Sequence, residues 1–332
     1  MADDEHATPR FAATPTRTEY AVTKGAVALA VYRKRMGYRL PASLPAQSSS
    51  NSALSSFDLA VPGAGEYSRM KVFAGLGFDV WTMDHENYGR SSRTSGNSDI
   101  ASGVADLIAA SELVVHETGQ PRMHFMGESS GALRAAAFAM VRPERVDRLV
   151  LNAFTYTGKN SPTLAKRAEQ LDYFRTHSRR LRDRAMIRSI FTRDHPGTSD
   201  PAVAEALADA ELVFGDEVPT GTYLDMTANL PVVDPLEVQA PVMIVRGEHD
   251  GIASEEDLLD FFRQLPNPDR QFVVLAGAAH ALVFGHNRHQ LWHTVHAFLT
   301  MPPRRDRQSP GPEELSLRYS AAARQEDLLR SV

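Results

Sequence analysis

Three residues of this chain could together carry out acyl transfer: Ser129, Asp250 and His280. Ser129 sits in Gly127-Glu128-Ser129-Ser130-Gly131. A serine hydroxyl is a poor nucleophile until a neutral imidazole takes its proton. The imidazole serves best when a carboxylate holds its tautomer and stabilises the imidazolium as it forms. His280 is the candidate base and Asp250 the candidate acid. The backbone N–H of Ser130 would point at the oxyanion of a tetrahedral intermediate. Glu248 and His249 are close by, but Asp250 follows its strand at the reach expected of the acid.

Such a set works only if the chain holds it on rigid elements. Met123, Phe125 and Met126 form an apolar run into the glycine motif, and Ala132, Ala135, Ala136 and Ala137 follow at helix positions. The pattern is strand, sharp turn, helix. Gly127 and Gly131 would allow the strand and helix to approach where a Cβ would clash. Gly-x-Ser-x-Gly also recurs by chance as a serine-rich turn without chemistry, so the flanks carry the reading. Val242-Met243-Ile244-Val245 runs into Asp250, and Phe272-Val273-Val274-Leu275 runs into His280. Taken singly, Asp250 could be a turn cap and His280 a loop histidine. Taken in the order Ser, Asp, His, each at the C-terminal end of a strand, they occupy the places where doubly wound sheets put functional groups.

The chain has 332 residues, enough for one large α/β domain or two small ones. A net charge of −5 leaves no excess of cations for phosphates, and so argues against a general nucleic-acid binder. There is no cysteine, which excludes disulfides and thiolate chemistry and is compatible with a cytoplasmic protein. The polar N-terminus lacks an apolar core of signal-peptide length, and the run Gly25–Val31 is too short to span a bilayer. We expect no membrane span.

Residues 1–17 read as a disordered segment. Thr18–Lys24 and Val27–Arg35 read as a hairpin, followed by a Pro- and Ser-rich stretch over 38–56. A helix begins near Tyr67, a strand covers 78–84, a helix 99–117 and a buried strand 146–154. Strand–helix alternation stops over 155–235, where basic amphipathic stretches predict an inserted helical cap. It resumes at Pro241 and ends in a helix over 288–300. The core is thus 18–154 and 236–301, with a tail over 302–332.

These motifs resemble the α/β-hydrolase superfamily, in particular its capped, lysophospholipase-like or esterase-like members, over about residues 18–300. The pieces that carry the resemblance are FDVWTMDHENYGRSS, FMGESSG, VMIVRGEHDG and GAAHAL. The resemblance implies a mostly parallel, doubly wound eight-stranded sheet with an inserted cap. It also implies a serine hydrolase acting on a small-molecule ester. The first piece corresponds to the family pattern D-x-x-G-x-G-x-S, with Asn87 at the first glycine and Gly89 and Ser91 kept. Asn tolerates positive φ, so that departure is mild. The family's His-Gly after strand 3 is missing. In one alignment Gln47-Ser48 replaces it and the Ser49 N–H is the second oxyanion donor. In the other, Phe57–Val61 is the strand and Pro62-Gly63 the loop. The first is preferred, although Pro41 and Pro45 would then flank or enter a central strand and cannot donate to its ladder.

Other groupings carry less. His286, His289, His293 and His296 are spaced as on a helix, but Leu291, Trp292, Val295, Phe298 and Leu299 define the buried face and leave the histidines on a solvated one. Arg179, Arg180, Arg182 and Arg184 read as a solvated cap-helix face. There is no Gly-x-Gly-x-x-Gly fingerprint or P-loop, and no cofactor or metal is expected. Serine at the elbow argues against the family's dehalogenases and epoxide hydrolases, which the resemblance implies use aspartate there. Thioesterase, amidase, lactonase and C–C bond hydrolase activities stay open. So does a catalytically weakened ligand-binding homologue, because of the altered oxyanion loop. Oligomeric state, including a homo-oligomer, is also left open.

Overall fold

The computed structural model describes residues 15–37, 42–44 and 54–302. The first strand, β1 (Thr16–Lys24), turns at Gly25, whose φ of +58° suits a residue without a Cβ, into an antiparallel partner β2 (Val27–Arg35). β1 starts two residues earlier than the pattern placed the core boundary. There follow β3 (Ala42–Leu44), α1 (Arg69–Gly75), β4 (Asp79–Met83), α2 (Ile100–Thr118), β5 (Met123–Glu128), α3 (Ser130–Val141) and β6 (Val146–Asn152). Residues 153–241 are inserted between β6 and β9 (Val242–Gly247). The chain closes with α9 (Glu255–Gln264), β10 (Arg270–Leu275) and α10 (Arg288–Leu299). The eight strands lie in the order β1-β2-β4-β3-β5-β6-β9-β10, parallel from β4 onward.

Strand residues of alternating parity feed two separate cores, as the two-residue repeat of a strand requires. Trp81, Phe125, Leu149, Leu151 and Ile244 pack under α2, α3 and α9. Val80, Met126, Val150, Met243 and Val245 pack on the other face under α1 and α10. Helices on both faces explain why β5 and β6 read as continuous apolar runs. The caps follow sequence signals: Asp99 accepts from Ser102 N at 2.7 Å to start α2, and Gly119 at φ +69° ends it.

Three readings of the sequence are corrected. Phe57–Val61 is not a strand: it follows a single turn of 3-10 helix at Leu54–Ser56, and β3 takes the central place between β4 and β5. That removes the second alignment of the oxyanion loop. Gln47, Ser48 and Ser49 lie outside the described residues, as do residues 1–14 and 303–332.

The second correction is in the insertion. The stretch expected to form long basic helices breaks into α4 (Pro162–Ala168), α5 (Leu171–Thr176), β7 (Arg179–Leu181) and α6 (Arg184–Thr192). α7 (Pro201–Leu212), β8 (Glu217–Pro219) and α8 (Gly221–Leu224) complete it. β7 pairs antiparallel with β8, a partner 38 residues on by the register Arg180↔Val218.

Third, the arginines there are not one solvated face. Arg179 donates to Gly96 O at 2.6 Å and Asn87 Oδ1 at 2.8 Å, and Arg182 is buried against Glu211. Arg180 lies over the Tyr223 ring at 4.6 Å, while Arg184 pairs with Glu205 and Asp209 at the surface. These non-local partners outweigh the local helical preference.

On α10, His289 and His293 are exposed, as is His286 just before it, but His296 is half-buried edge-on to Phe78 at 6.0 Å. Among the described residues no helix is long and apolar enough to cross a membrane.

Candidate active site

Ser129 occupies the junction of β5 and α3 at φ +54°, ψ −123°. A non-glycine residue held there is strained, and the surrounding packing imposes the conformation. A Cβ on Gly127 would stand 2.3 Å from Gly131 O and 2.6 Å from Ala132 N, so the strand and helix can touch only because residue 127 has none. Ser129 N donates to Asn152 O at 2.9 Å, which ties the turn to the end of β6. Ser130 is the first residue of α3, so its N–H belongs to the positive end of that helix.

Beneath the turn, the Glu128 carboxylate is buried and lies 3.5 Å from the guanidinium of Arg69 on α1, itself 1% exposed. Arg69 stacks over Phe57 at 4.1 Å and donates to Ser56 O at 2.5 Å. One cation thus links the elbow to the chain that follows the loop after β3. Sequence reasoning missed it. The signal was a carboxylate inside an apolar strand end, which calls for a cation without saying which.

Asp250 and His280 come from the loops after β9 and β10. His280 Nδ1 lies 3.0 Å from Asp250 Oδ1, and Nε2 lies 3.1 Å from Ser129 Oγ. All three residues are 5% exposed or less. Burial works against the Asp250 charge, but His280 and the Ile252 N–H, which donates at 3.0 Å, hold its carboxyl below the usual carboxylate range. Gly247 lets the two loops close, since a Cβ there would stand 2.7 Å from both Ala278 O and Ala279 O. The neighbours set aside in the sequence serve this junction. Glu248 accepts from Gly277 N at 2.8 Å, and His249 N donates to Ala278 O at 2.9 Å.

The loop after β4 is organised by Asp84. Its carboxylate accepts from Leu54 N at 2.7 Å, and from Tyr32 OH and Arg90 N at 2.8 Å each. Burial pushes its pKa up in spite of these bonds. Asn87 has φ +72°, as its place in the motif allows. A second histidine–carboxylate pair lies in the same region: His85 Nδ1 is 2.9 Å from Asp106 Oδ2, with Lys24 paired to both Asp106 and Glu86. It does not line the Ser129 cleft. Burial lowers His85 to about 4, so it is neutral at physiological pH. Nothing in the sequence spacing pointed to it.

Ser129, Ser130 and His280 line a narrow cleft together with Arg167, Met186, Ile190, Arg193 and Tyr223 of the insertion. Asp194 is also near: one oxygen each of Asp194 and Asp250 and one His280 nitrogen lie within 4.8 Å of one another. These could in principle hold a cation, but His280 and Asp250 already bond to each other. The arrangement can remove a proton from Ser129 and stabilise the resulting imidazolium in a site largely shielded from water.

Residues 60–287 match the family described as serine aminopeptidase, S33. A stretch of 95 residues is 34% identical to a 2-hydroxy-6-oxononadienedioate/2-hydroxy-6-oxononatrienedioate hydrolase of Paraburkholderia phymatum, covering 26% of this chain. The chain spans only 30% of the length of that relative. The fold is similar to the enol-lactonase of Burkholderia xenovorans (TM-score 0.62, 18% identity, 85% of this chain and 100% of that one). It is also similar to an epoxide hydrolase of Vigna radiata (TM-score 0.63, 15% identity, 86% of this chain and 98% of that one). Neighbours named for different reactions share the architecture, so fold alone does not select the chemistry.

Proposed function

The chain belongs to the serine aminopeptidase (S33) family of α/β-hydrolases, and from that premise we propose that it is a serine hydrolase cleaving a carboxylic ester through an acyl-enzyme. The observation that carries this reading is His280, within hydrogen-bond distance of Ser129 Oγ on one side and Asp250 on the other.

In the proposed reaction Ser129 Oγ attacks the ester carbonyl carbon while its proton passes to His280 Nε2. Asp250 orients the ring and stabilises the imidazolium. The Ser130 N–H receives the oxyanion. Collapse of the tetrahedral intermediate breaks the C–O bond, and the proton on His280 goes to the departing alkoxide. Water then repeats the sequence on the acyl-enzyme, releasing the acid and restoring Ser129. The preferred alignment would make the Ser49 N–H, outside the described residues, the second oxyanion donor. Losing one donor costs about 3 kcal/mol of transition-state stabilisation. With Gln47-Ser48 in place of His-Gly, a weakened, ligand-binding homologue is therefore the rival. Gln47→His with Ser48→Gly separates the two: a large gain in rate marks an impaired loop, and little change marks a working donor.

The likeness to the dienedioate hydrolase favours one further reading, a C–C bond hydrolase using the same three residues. Intact-mass labelling with a fluorophosphonate tests the shared premise. One adduct on the wild type and none on Ser129→Ala is expected. Folded wild type without an adduct would overturn the hydrolase reading.

A further inference from the structure

The insertion brings more positive charge to the Ser129 cleft than its own carboxylates balance. Arg167 and Arg193 both line the cleft. Arg193 is shared with Asp194, its Nε 3.6 Å from Oδ1. Arg167 lies 4.8 Å from the centre of the Tyr223 ring, and Arg180 lies 4.6 Å from the same ring. Among the described residues no carboxylate stands within ion-pair distance of Arg167 or Arg180. Among the described residues, the polar side-chain contact of Arg167 is Met226 Sδ at 3.4 Å, a weak acceptor for a group with five donors. Residues 38–53, which include the stretch after β3, contain no Asp or Glu.

A guanidinium taken partly out of water carries a desolvation cost that a ring face and a thioether offset only in part. Burial pulls Arg167 down to about 10, so it remains charged at neutral pH. A planar fork of donors left open beside a nucleophile fits a planar anion with two oxygens.

We propose that Arg167, with Tyr223 as its platform and Arg180 and Arg193 adding to the local potential, binds a carboxylate of the substrate, so that the ester opened by Ser129 belongs to a molecule with an anionic end. A carboxylate is favoured over a phosphate because, among the described residues, Arg167 is the guanidinium of the cleft without a carboxylate partner. Arg193 is held by Asp194, whose negative charge also opposes a dianion. The binding site stands by itself; only the fate of the bound molecule rests on the hydrolase reading.

The test pairs the mono-p-nitrophenyl ester of glutaric acid with p-nitrophenyl valerate, which has the same chain length and no charge. The wild type should favour the charged ester in kcat/KM by about 10-fold or more, the lower end of what a shielded charge pair contributes. The ratio should fall toward one in Arg167→Gln and be partly retained in Arg167→Lys. Calorimetry with glutarate reads the site without turnover: binding should weaken at least about 10-fold in Arg167→Gln.

Hydrolysis of both esters without preference, with glutarate affinity equal in wild type and variant, would overturn the site and leave the hydrolase reading standing. Glutarate binding that depends on Arg167 without turnover of either ester would support the site and sink the ester chemistry. Inorganic phosphate binding in preference to glutarate would overturn the assignment to a carboxylate.

Discussion

Ser129 Oγ and His280 Nε2 stand 3.1 Å apart although 151 residues separate them in the chain. The contact depends on two glycine-permitted approaches, one under the elbow at Gly127 and one between the loops that carry Asp250 and His280 at Gly247. If the two groups act as a unit, their loss is not additive. Ser129→Ala and His280→Ala should each lower kcat by at least about 10⁴-fold, and the double variant should be little worse than either. Asp250→Asn, which keeps the shape but not the tautomer control, should cost about 10⁴-fold. Burst and steady-state kinetics on an activated ester check all three, and additive losses would contradict a shared role.

Arg69 and Glu128 form a buried ion pair beneath the elbow. Arg69→Met should destabilise the fold by about 3–5 kcal/mol, a large part of a typical stability, because it removes the cation of a buried ion pair. Adding Glu128→Gln should recover most of the loss. Denaturant unfolding of the single and double variants measures it, and equal loss in both would show that the arginine acts through packing alone.

Gly127→Ala places a carbon 2.3 Å from a backbone oxygen that cannot swing away. The expected result is destabilisation of more than about 3 kcal/mol, or displacement of the elbow with loss of fluorophosphonate labelling. A stable, fully labelled variant would mean that β5 and α3 can separate without moving Ser129.

The buried His85 links stability to pH. It faces Asp106, with Lys24, Glu86 and Arg134 near, and its pKa is about 4 when folded against about 6.5 when unfolded. Between those values the unfolded chain binds more protons, so stability falls as pH drops through that window. The full effect is on the order of 3 kcal/mol. His124, also lowered by burial, adds in the same direction. Unfolding midpoints at about pH 7 and pH 5 should differ in the wild type, and His85→Asn should reduce the difference. An unchanged difference would place the titration elsewhere.

The order of strands and helices in the core was legible because burial on both faces writes itself as apolar runs, and the cap and glycine signals mark their ends. The strand–turn–helix around Ser129 was legible for the same reason: the residues that mark it lie close together, from Met123 to Ala137. The insertion was not. Arg179 and Arg182 sit in a sequence that favours helix locally, yet their partners Asn87, Gly96 and Glu211 are supplied from elsewhere in the chain.

The sequence alone determined which residue types could do chemistry and at which strand ends they would stand, since local pattern sets strand and helix. Tertiary structure decided what surrounds them: the Arg69 pair beneath the elbow, Asp194 beside Asp250, and Arg167 over Tyr223 in the lining of the cleft. Each of these is a contact between charges or rings far apart in sequence. Its free energy depends on burial and distance, and no spacing along the chain records either.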